Sequence, residues 1–297
     1  RYGVKRKEIT LTVNGIDTEK FIPEKKETRV RRIVCCTRMD EDRADAAFAL
    51  LDAARSLPAG DFSLTLIGDG DCFEELKQKH SALLKEDPTL DVRLVGGTSD
   101  VAVFLKDADI FVGVSRAALE GMAAGCATVL AGNEGYLSVF SPKHAEEAEK
   151  SNFCCRGAVK TTKELLVRDL SRLLSLPRSA LMRMGEENRL YVLRHYSHDR
   201  MARDALTVYQ RICKRVCVLC GYYGFRNVGD TLLSHALRRE LKKRGYGQVI
   251  LLSSKHLSLK ALRALKGGYD LFLGGGNLLQ DTTSKRSLSF YLFILSL

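Results

Sequence analysis

Short apolar runs alternate with longer stretches of helical spacing along most of this chain. Runs at residues 31–37, 62–67, 92–95, 110–114 and 127–131 have the length and content of strands. Residues 9–13 alternate apolar side chains with threonine, which predicts a further strand ended by Asn14-Gly15. Between them, residues 44–56 place Ala47, Leu50, Leu51 and Ala54 on one helical face. Residues 73–84 read as a second helix, and Ser99 stands as the cap of a third that runs to about Ala108. Helical patterns then cover residues 143–150, 161–174, 178–195 and 198–212, the last with Met201, Ala205, Val208 and Ile212 in a stripe. The alternation restarts with strands at 216–220, 249–252 and 271–273 and helices at 231–244 and 257–266, before a final apolar helical run, SLSFYLFILSL.

Strand and helix in alternation give an α/β chain of two consecutive Rossmann-like parallel-sheet units, the second incomplete, with the boundary near Lys214: residues 1–213 and 214–297. The most informative stretch is residues 110–135. A strand is followed by Ser115 at an N-cap position, a helix of small residues at 117–124, Gly125 as its stop, a second apolar strand, and the polar loop 132–135. Both strands are apolar throughout, as in a parallel sheet covered on both faces. Glu120 lies on that helix among alanines. It either accepts hydrogen bonds from sugar hydroxyls at the carboxyl end of the sheet or is a solvated side chain.

Arg38 and Arg43 follow the 31–37 strand, five positions apart across a loop. Their planar forks could converge on a diphosphate where open α/β sheets bind ligands; the alternative is two solvated loop arginines. Gly68 and Gly70 form a turn after a strand, and Asn14, Gly15 and Asp17 read as a structural turn at the cleft edge. Asn133 and Glu134 are candidates to line the same cleft.

The pieces LEGMAAGCATVLAG, NGID, TRMDEDR, LIGDG and SDVAVFLKDADIFV occur in an order that resembles the retaining glycosyltransferases of the GT-B fold (group 1, family 4 type), over about residues 1–212. The resemblance implies that residues 1–213 are the donor-binding lobe. It implies diphosphate contacts from Arg38 and Arg43, where the family has an arginine and a lysine, and a ribose contact from Glu120. It also implies chemistry without a bound metal or other cofactor. The family carries a further glutamate near the donor sugar; here Val112 stands eight positions before Glu120, inside a strand, and the strand–helix loop is shortened.

The second half adds GYYGFRNVGD and DLFLGGGNLLQDTTSKRS, two glycine-rich stretches that each follow a strand. Their backbone N–H groups could approach an anion. Asn227 and Asp230 could orient a ligand, or Asp230 could cap the next helix; Arg286 could pair with a carboxylate or phosphate. Together with Gly274, Gly275 and Gly276 these stretches resemble the amino-terminal part of polysaccharide pyruvyl transferases, which implies phosphoenolpyruvate as a partner. No catalytic residue is named there.

Composition changes the picture in two ways. A formal charge of +11 favours acidic partners, among them nucleotides, polyprenyl phosphates and an anionic membrane surface. No nucleic-acid-binding module is present in the pattern, so nucleic acid is not an expected partner. Nine cysteines, several inside apolar strands, read as buried thiols of a reducing compartment. Cys217 and Cys220 are spaced to point to opposite faces of a strand and so are not a metal pair. The chain lacks an initial methionine and ends within an apolar run, which reads as an internal piece of a longer protein.

The combined expectation is a transferase of cell-envelope polysaccharide biosynthesis that joins nucleotide-sugar-dependent glycosyl transfer to pyruvyl transfer, with this piece alone inactive. Its partners would be a nucleotide-sugar donor, phosphoenolpyruvate and a polysaccharide or lipid-linked sugar acceptor. It would be cytoplasmic, with peripheral contact at the inner face of the membrane. The alternative is a catalytically silent nucleotide-sugar-binding scaffold attached to a pyruvyl transferase. A Rossmann dehydrogenase is disfavoured because no strand leads into a full GxGxxG.

Overall fold

The computed structural model describes residues 9–24, 28–58, 62–212, 215–221, 223, 228–253, 259–266, 269–274, 289 and 292–296. They form two compact units, Arg1–Asp204 and Ala205–Leu297.

The first unit is built on a six-stranded sheet. In chain order its elements are β1 (Arg31–Cys36), α1 (Asp45–Ala54), β2 (Phe62–Ile67), α2 (Phe73–Glu86), β3 (Asp91–Val95), α3 (Ala102–Leu105), β4 (Ile110–Gly113), α4 (Ser115–Ala123), β5 (Ala127–Gly132) and β6 (Gly135–Val139). After these come α5 (Ala145–Lys150), α6 (Lys163–Ser175), α7 (Arg178–His195) and α8 (His198–Ile212). The strand order is β3-β2-β1-β4-β5-β6, parallel from β3 to β5 with β6 antiparallel at the edge. Alternation along each strand sends neighbours to opposite faces. Ile33, Cys35, Ile110 and Val112 enter one buried cluster with α1, α2 and α6, whereas Val34 and Phe111 enter the other with α4 and α7. Side chains buried in this way contribute about 1.5–3 kcal/mol each.

The order places β1 and β4 side by side in the middle, with the chain running outward from β1 to β3 and then outward from β4 to β5. This is a topological switch point, and the loops that leave β1 and β4 diverge there to open a crevice. A buried ion pair fixes the opposite end of β4. Asp109 accepts three hydrogen bonds from Arg178, at 2.9, 2.9 and 3.1 Å, and a fourth from the Arg32 backbone at 2.9 Å.

Four local expectations need correction. Residues 9–13 form no strand: Leu11 is 91% exposed, and among the described residues the bridge nearby joins Ile16 to Ser197. Alternation marks a strand only where a partner edge is available. Ser99 does not cap a helix; α3 is a single turn with Val101 before it, and Thr98 accepts the Asp100 N–H instead. Ser115 is not an N-cap either. Val114 holds that place in extended conformation, while Ser115 is the first helical residue, at φ +54°. Its N–H donates to the Phe153 carbonyl at 2.8 Å. Finally, the loop at 132–135 turns into β6, a hairpin strand that the sequence pattern did not reveal.

The second unit has a parallel three-stranded sheet of order β8-β7-β9, formed by β7 (Arg215–Cys220), β8 (Tyr246–Leu252) and β9 (Asp270–Leu273). The helices α9 (Val228–Lys243) and α10 (Leu259–Lys266) lie on its two faces. Leu237 and Leu241 of α9 pack with Cys217 and Leu219; Ala261 and Leu262 of α10 pack with Val218 and Cys220. Cys217 and Cys220 thus face opposite ways.

Candidate functional site

At the carboxyl ends of the first sheet lies a cleft of about 760 Å³. Six segments line it: Cys36–Arg38 with Asp42 and Arg43 at and after the end of β1, Ile67–Asp69 at the end of β2, Gly97 and Thr98 after β3, Val114–Ala117 with Glu120 around the start of α4, Asn133 and Glu134 after β5, and Cys154. The structure therefore gathers Arg38, Arg43, Gly68, Ser115, Glu120, Asn133 and Glu134 around one space.

Gly70 is not among the lining residues. It packs from behind, where a Cβ would come within 2.5 Å of the Met39 carbonyl carbon. At Gly68 a Cβ would stand 1.9 Å from the Thr37 carbonyl oxygen, and the backbone there has φ +154°. These two glycines let the turn after β2 lie flat against the loop after β1. Thr37 and Met39 close the contact by donating backbone hydrogen bonds to Ile67 and Asp69. The loop that carries both arginines is held in this way.

Each arginine already has a carboxylate nearby. Arg38 Nε lies 3.7 Å from Asp40 and Arg43 Nε lies 3.5 Å from Asp42, with both guanidinium side chains well exposed. Such exposed pairs contribute little and exchange partners readily. Across the cleft mouth the Asn133 side-chain amide donates to the Asp42 carbonyl, tying the β5–β6 turn to the arginine loop. Glu134 is engaged by Arg156 Nε at 2.6 Å.

Glu120 is largely buried, its side chain 16% exposed. It sits in the second turn of α4, whose close approach to β4 depends on Gly121: a Cβ there would fall 2.5 Å from the Phe111 ring. Arg116 Nε donates to Glu120 Oε1 at 2.9 Å, and its Nη1 reaches Asn14 Oδ1 at 3.3 Å. Glu120 also acts on its surroundings. Burial, then the Glu120 charge, push the neighbouring Cys36 thiol up to about 11. Arg116 was not singled out from the sequence, although its place four residues before Glu120 is the spacing at which helical charge pairs meet. Asn14 enters through its side chain rather than only as a turn residue.

In the second unit Gly221, just after β7, and Gly274, just after β9, come together. A Cβ on Gly221 would lie 1.9 Å from the Gly274 carbonyl oxygen, and the Tyr223 hydroxyl donates to that oxygen at 2.6 Å. Asp230 lies in the first turn of α9 rather than before it, so it is not the cap. Burial, with smaller contributions from Cys220 and Asp230, pushes the Tyr223 hydroxyl up to about 12. Asn227, Gly275, Gly276 and Arg286 lie outside the described residues. Among the described residues no group of His, Cys, Asp or Glu could hold a metal ion, and no helix is long and apolar enough to cross a membrane.

An open α/β unit with a loop-built cleft at its switch point has the architecture of the doubly wound class. The comparisons narrow this. Residues 30–150 match the family model described as "Glycosyl transferases group 1". The match covers part of the first unit, whose fold is like that of GT-B glycosyltransferase domains. Among solved structures, a glycosyltransferase from Rickettsia africae is similar at 16% identity and a TM-score of 0.54, over 72% of this chain and 60% of that one. The C-terminal domain of the group 1 family protein LpcC from Francisella tularensis is similar at 17% identity and a TM-score of 0.46, over 62% of this chain and all of that one. HepE from Anabaena, in complex with UDP-glucose, is similar at 12% identity and a TM-score of 0.49, over 71% of this chain and 58% of that one. The chain thus spans about 60% of the length of the Rickettsia protein. No curated protein sequence matches the chain.

Proposed function

We propose that residues 1–213 are the donor-binding lobe of a glycosyltransferase that uses a nucleotide sugar, acting in polysaccharide or lipid-linked sugar synthesis. The observation that carries this reading is the convergence of Arg38, Arg43 and Glu120 on one cleft at the switch point of a group 1 domain. In this reading Arg38 and Arg43 leave their loop carboxylates and bind the diphosphate bidentately. When the bond from the anomeric carbon to the diphosphate breaks, its electrons pass to the leaving oxygen, and the two guanidiniums meet that charge. An acceptor hydroxyl supplies the new bond to the same carbon and gives up its proton. Glu120 accepts from the ribose hydroxyls. Its pair with Arg116 uses Oε1, and a carboxylate has a second oxygen to offer.

A second reading is favoured by one observation. Val112, eight positions before Glu120, is fully buried within β4 and offers no carboxylate to a donor sugar. The lobe would then bind the donor without transferring it and serve as a scaffold. Incubating the full-length protein with a nucleotide sugar and following release of the nucleoside diphosphate separates the two readings: turnover supports the enzyme, and binding without turnover supports the scaffold. Absence of binding overturns both.

For residues 214–297 we propose the start of a polysaccharide pyruvyl transferase domain. The support is the two glycine motifs and the close approach of Gly221 to Gly274 at one end of the sheet. Calorimetric titration with phosphoenolpyruvate tests it. Heat that saturates, and that Asp230→Ala reduces, is expected; no heat counts against the assignment.

A further inference from the structure

The positive charge is not spread over the chain. Residues 205–297 hold 15 lysines and arginines against 4 aspartates and glutamates, so they carry the whole formal charge of +11. Residues 1–204 hold 32 of each sign and are neutral. Within the second unit, α9 shows how this charge is presented. Ser234 and Leu241 are buried against the sheet, and Leu237 packs beside them. At 3.6 residues per turn the opposite face carries Val228, Leu232, His235, Arg239, Lys242 and Lys243. All six are exposed, Val228 at 72% and Leu232 at 65%. One outward face is therefore apolar over its first two turns and cationic over its last two. The single acid in those last turns, Glu240, pairs with Lys243 at 3.7 Å and Arg244 at 3.4 Å, both at the surface.

We propose that this outer face of α9 docks the second unit on an anionic lipid bilayer. A bare polyanion would engage Arg239, Lys242 and Lys243 but leave Val228 and Leu232 in water. A bilayer surface supplies both partners, phosphate headgroups for the cations and the acyl boundary for the two apolar side chains. The inference does not depend on what the cleft of the first unit binds.

The test is sedimentation of the chain with vesicles of phosphatidylcholine alone or mixed with phosphatidylglycerol. Binding is expected only to the mixed vesicles and weakens as salt rises. Each cation near such a surface contributes about fivefold. The triple variant Arg239→Glu, Lys242→Glu, Lys243→Glu should therefore lose at least about a hundredfold in partitioning. Leu232→Ser should lose about fivefold, and this loss should persist at high salt because it is apolar in origin. Circular dichroism melts of both variants should match the wild type, since every altered side chain points outward. Equal binding to the two vesicle types would overturn the proposal. So would binding to duplex DNA that the charge variant abolishes while Leu232→Ser leaves vesicle partitioning untouched.

Discussion

The two units share a plan, parallel strands with glycine turns at their carboxyl ends, but treat charge in opposite ways. In the first unit 32 basic residues face 32 acidic ones; in the second 15 face 4. The balance in the first reaches into the cleft itself. Arg38 lies beside Asp40, Arg43 beside Asp42 and Arg116 beside Glu120. A ligand phosphate must therefore displace a carboxylate that is already present. In the proposed reading this favours groups that fit the fork of an arginine over anions in general. The second unit has few such partners, Glu240 for Lys243 and Arg244 and Asp270 for Arg215, and its excess charge draws anions from a distance. The total charge of the chain describes neither unit.

The sharpest way to break the comparison is to remove Asp109. Its loss leaves the buried Arg178 without its carboxylate, which costs about 3–5 kcal/mol. Asp109→Ala should shift the denaturant transition of the first unit by that amount and leave the second unit's transition in place. Equal shifts of both would show that the units do not unfold separately. Next in size, Arg38→Ala and Arg43→Ala should each weaken nucleoside diphosphate binding by about 1.5–3 kcal/mol, with far less effect on the nucleoside. Equal losses for the two ligands, read by calorimetry, would place the arginines away from phosphate.

A smaller effect concerns acid stability. Burial alone would raise the Asp169 carboxyl, but hydrogen bonds from Arg168, Ser138 and Tyr136, with the Arg168 charge, outweigh it and hold the carboxyl below its ordinary range. A carboxylate lowered in the folded state gives stability that is complete above its unfolded value, near 3.9, and lost as pH falls through the folded one. Asp169→Asn should flatten that acid limb of the first unit's melting curve, and an unchanged limb would assign the acid sensitivity elsewhere. The smallest change should come from Arg116→Ala. Arg116 is itself half exposed, and a helical pair of this spacing contributes about 0.5 kcal/mol or less, so the melting temperature should hardly move. A large drop would mean that Arg116 anchors α4 through Asn14.

Much of the fold was legible because buried parallel strands need uninterrupted apolar runs. The strand at Phe62–Ile67 and the helices Arg178–His195 and His198–Ile212 lie where the pattern sets them. β6 was hidden because its residues, Gly135–Val139, carry an edge strand with one half-exposed side and no strong alternation. The strand expected at 9–13 shows the reverse failure, a good local pattern with no edge to pair. At the site, residues following strands could be found from the rule that ligands gather at strand ends, and the cleft does collect Arg38, Arg43, Glu120, Asn133 and Glu134. The Asn14–Arg116 hydrogen bond joins positions 102 apart in sequence, a pairing that only folding makes. The bond from Ser115 N–H to Phe153 likewise replaced the cap that local chemistry favours.

In the proposed reading the cleft of the first unit takes a nucleoside diphosphate with Glu120 on its ribose. The most direct test is a double-mutant cycle by calorimetry, with UDP and its 2′,3′-dideoxy analogue against wild type and Glu120→Ala, melting temperatures being recorded alongside. Loss of the hydroxyls should weaken binding to the wild type by about 1–2 kcal/mol. Glu120→Ala should bind the two nucleotides about equally, and the dideoxy analogue should bind wild type and variant alike. Continued discrimination for ribose in Glu120→Ala, with a lowered melting temperature, would contradict the account and make Glu120 a structural residue.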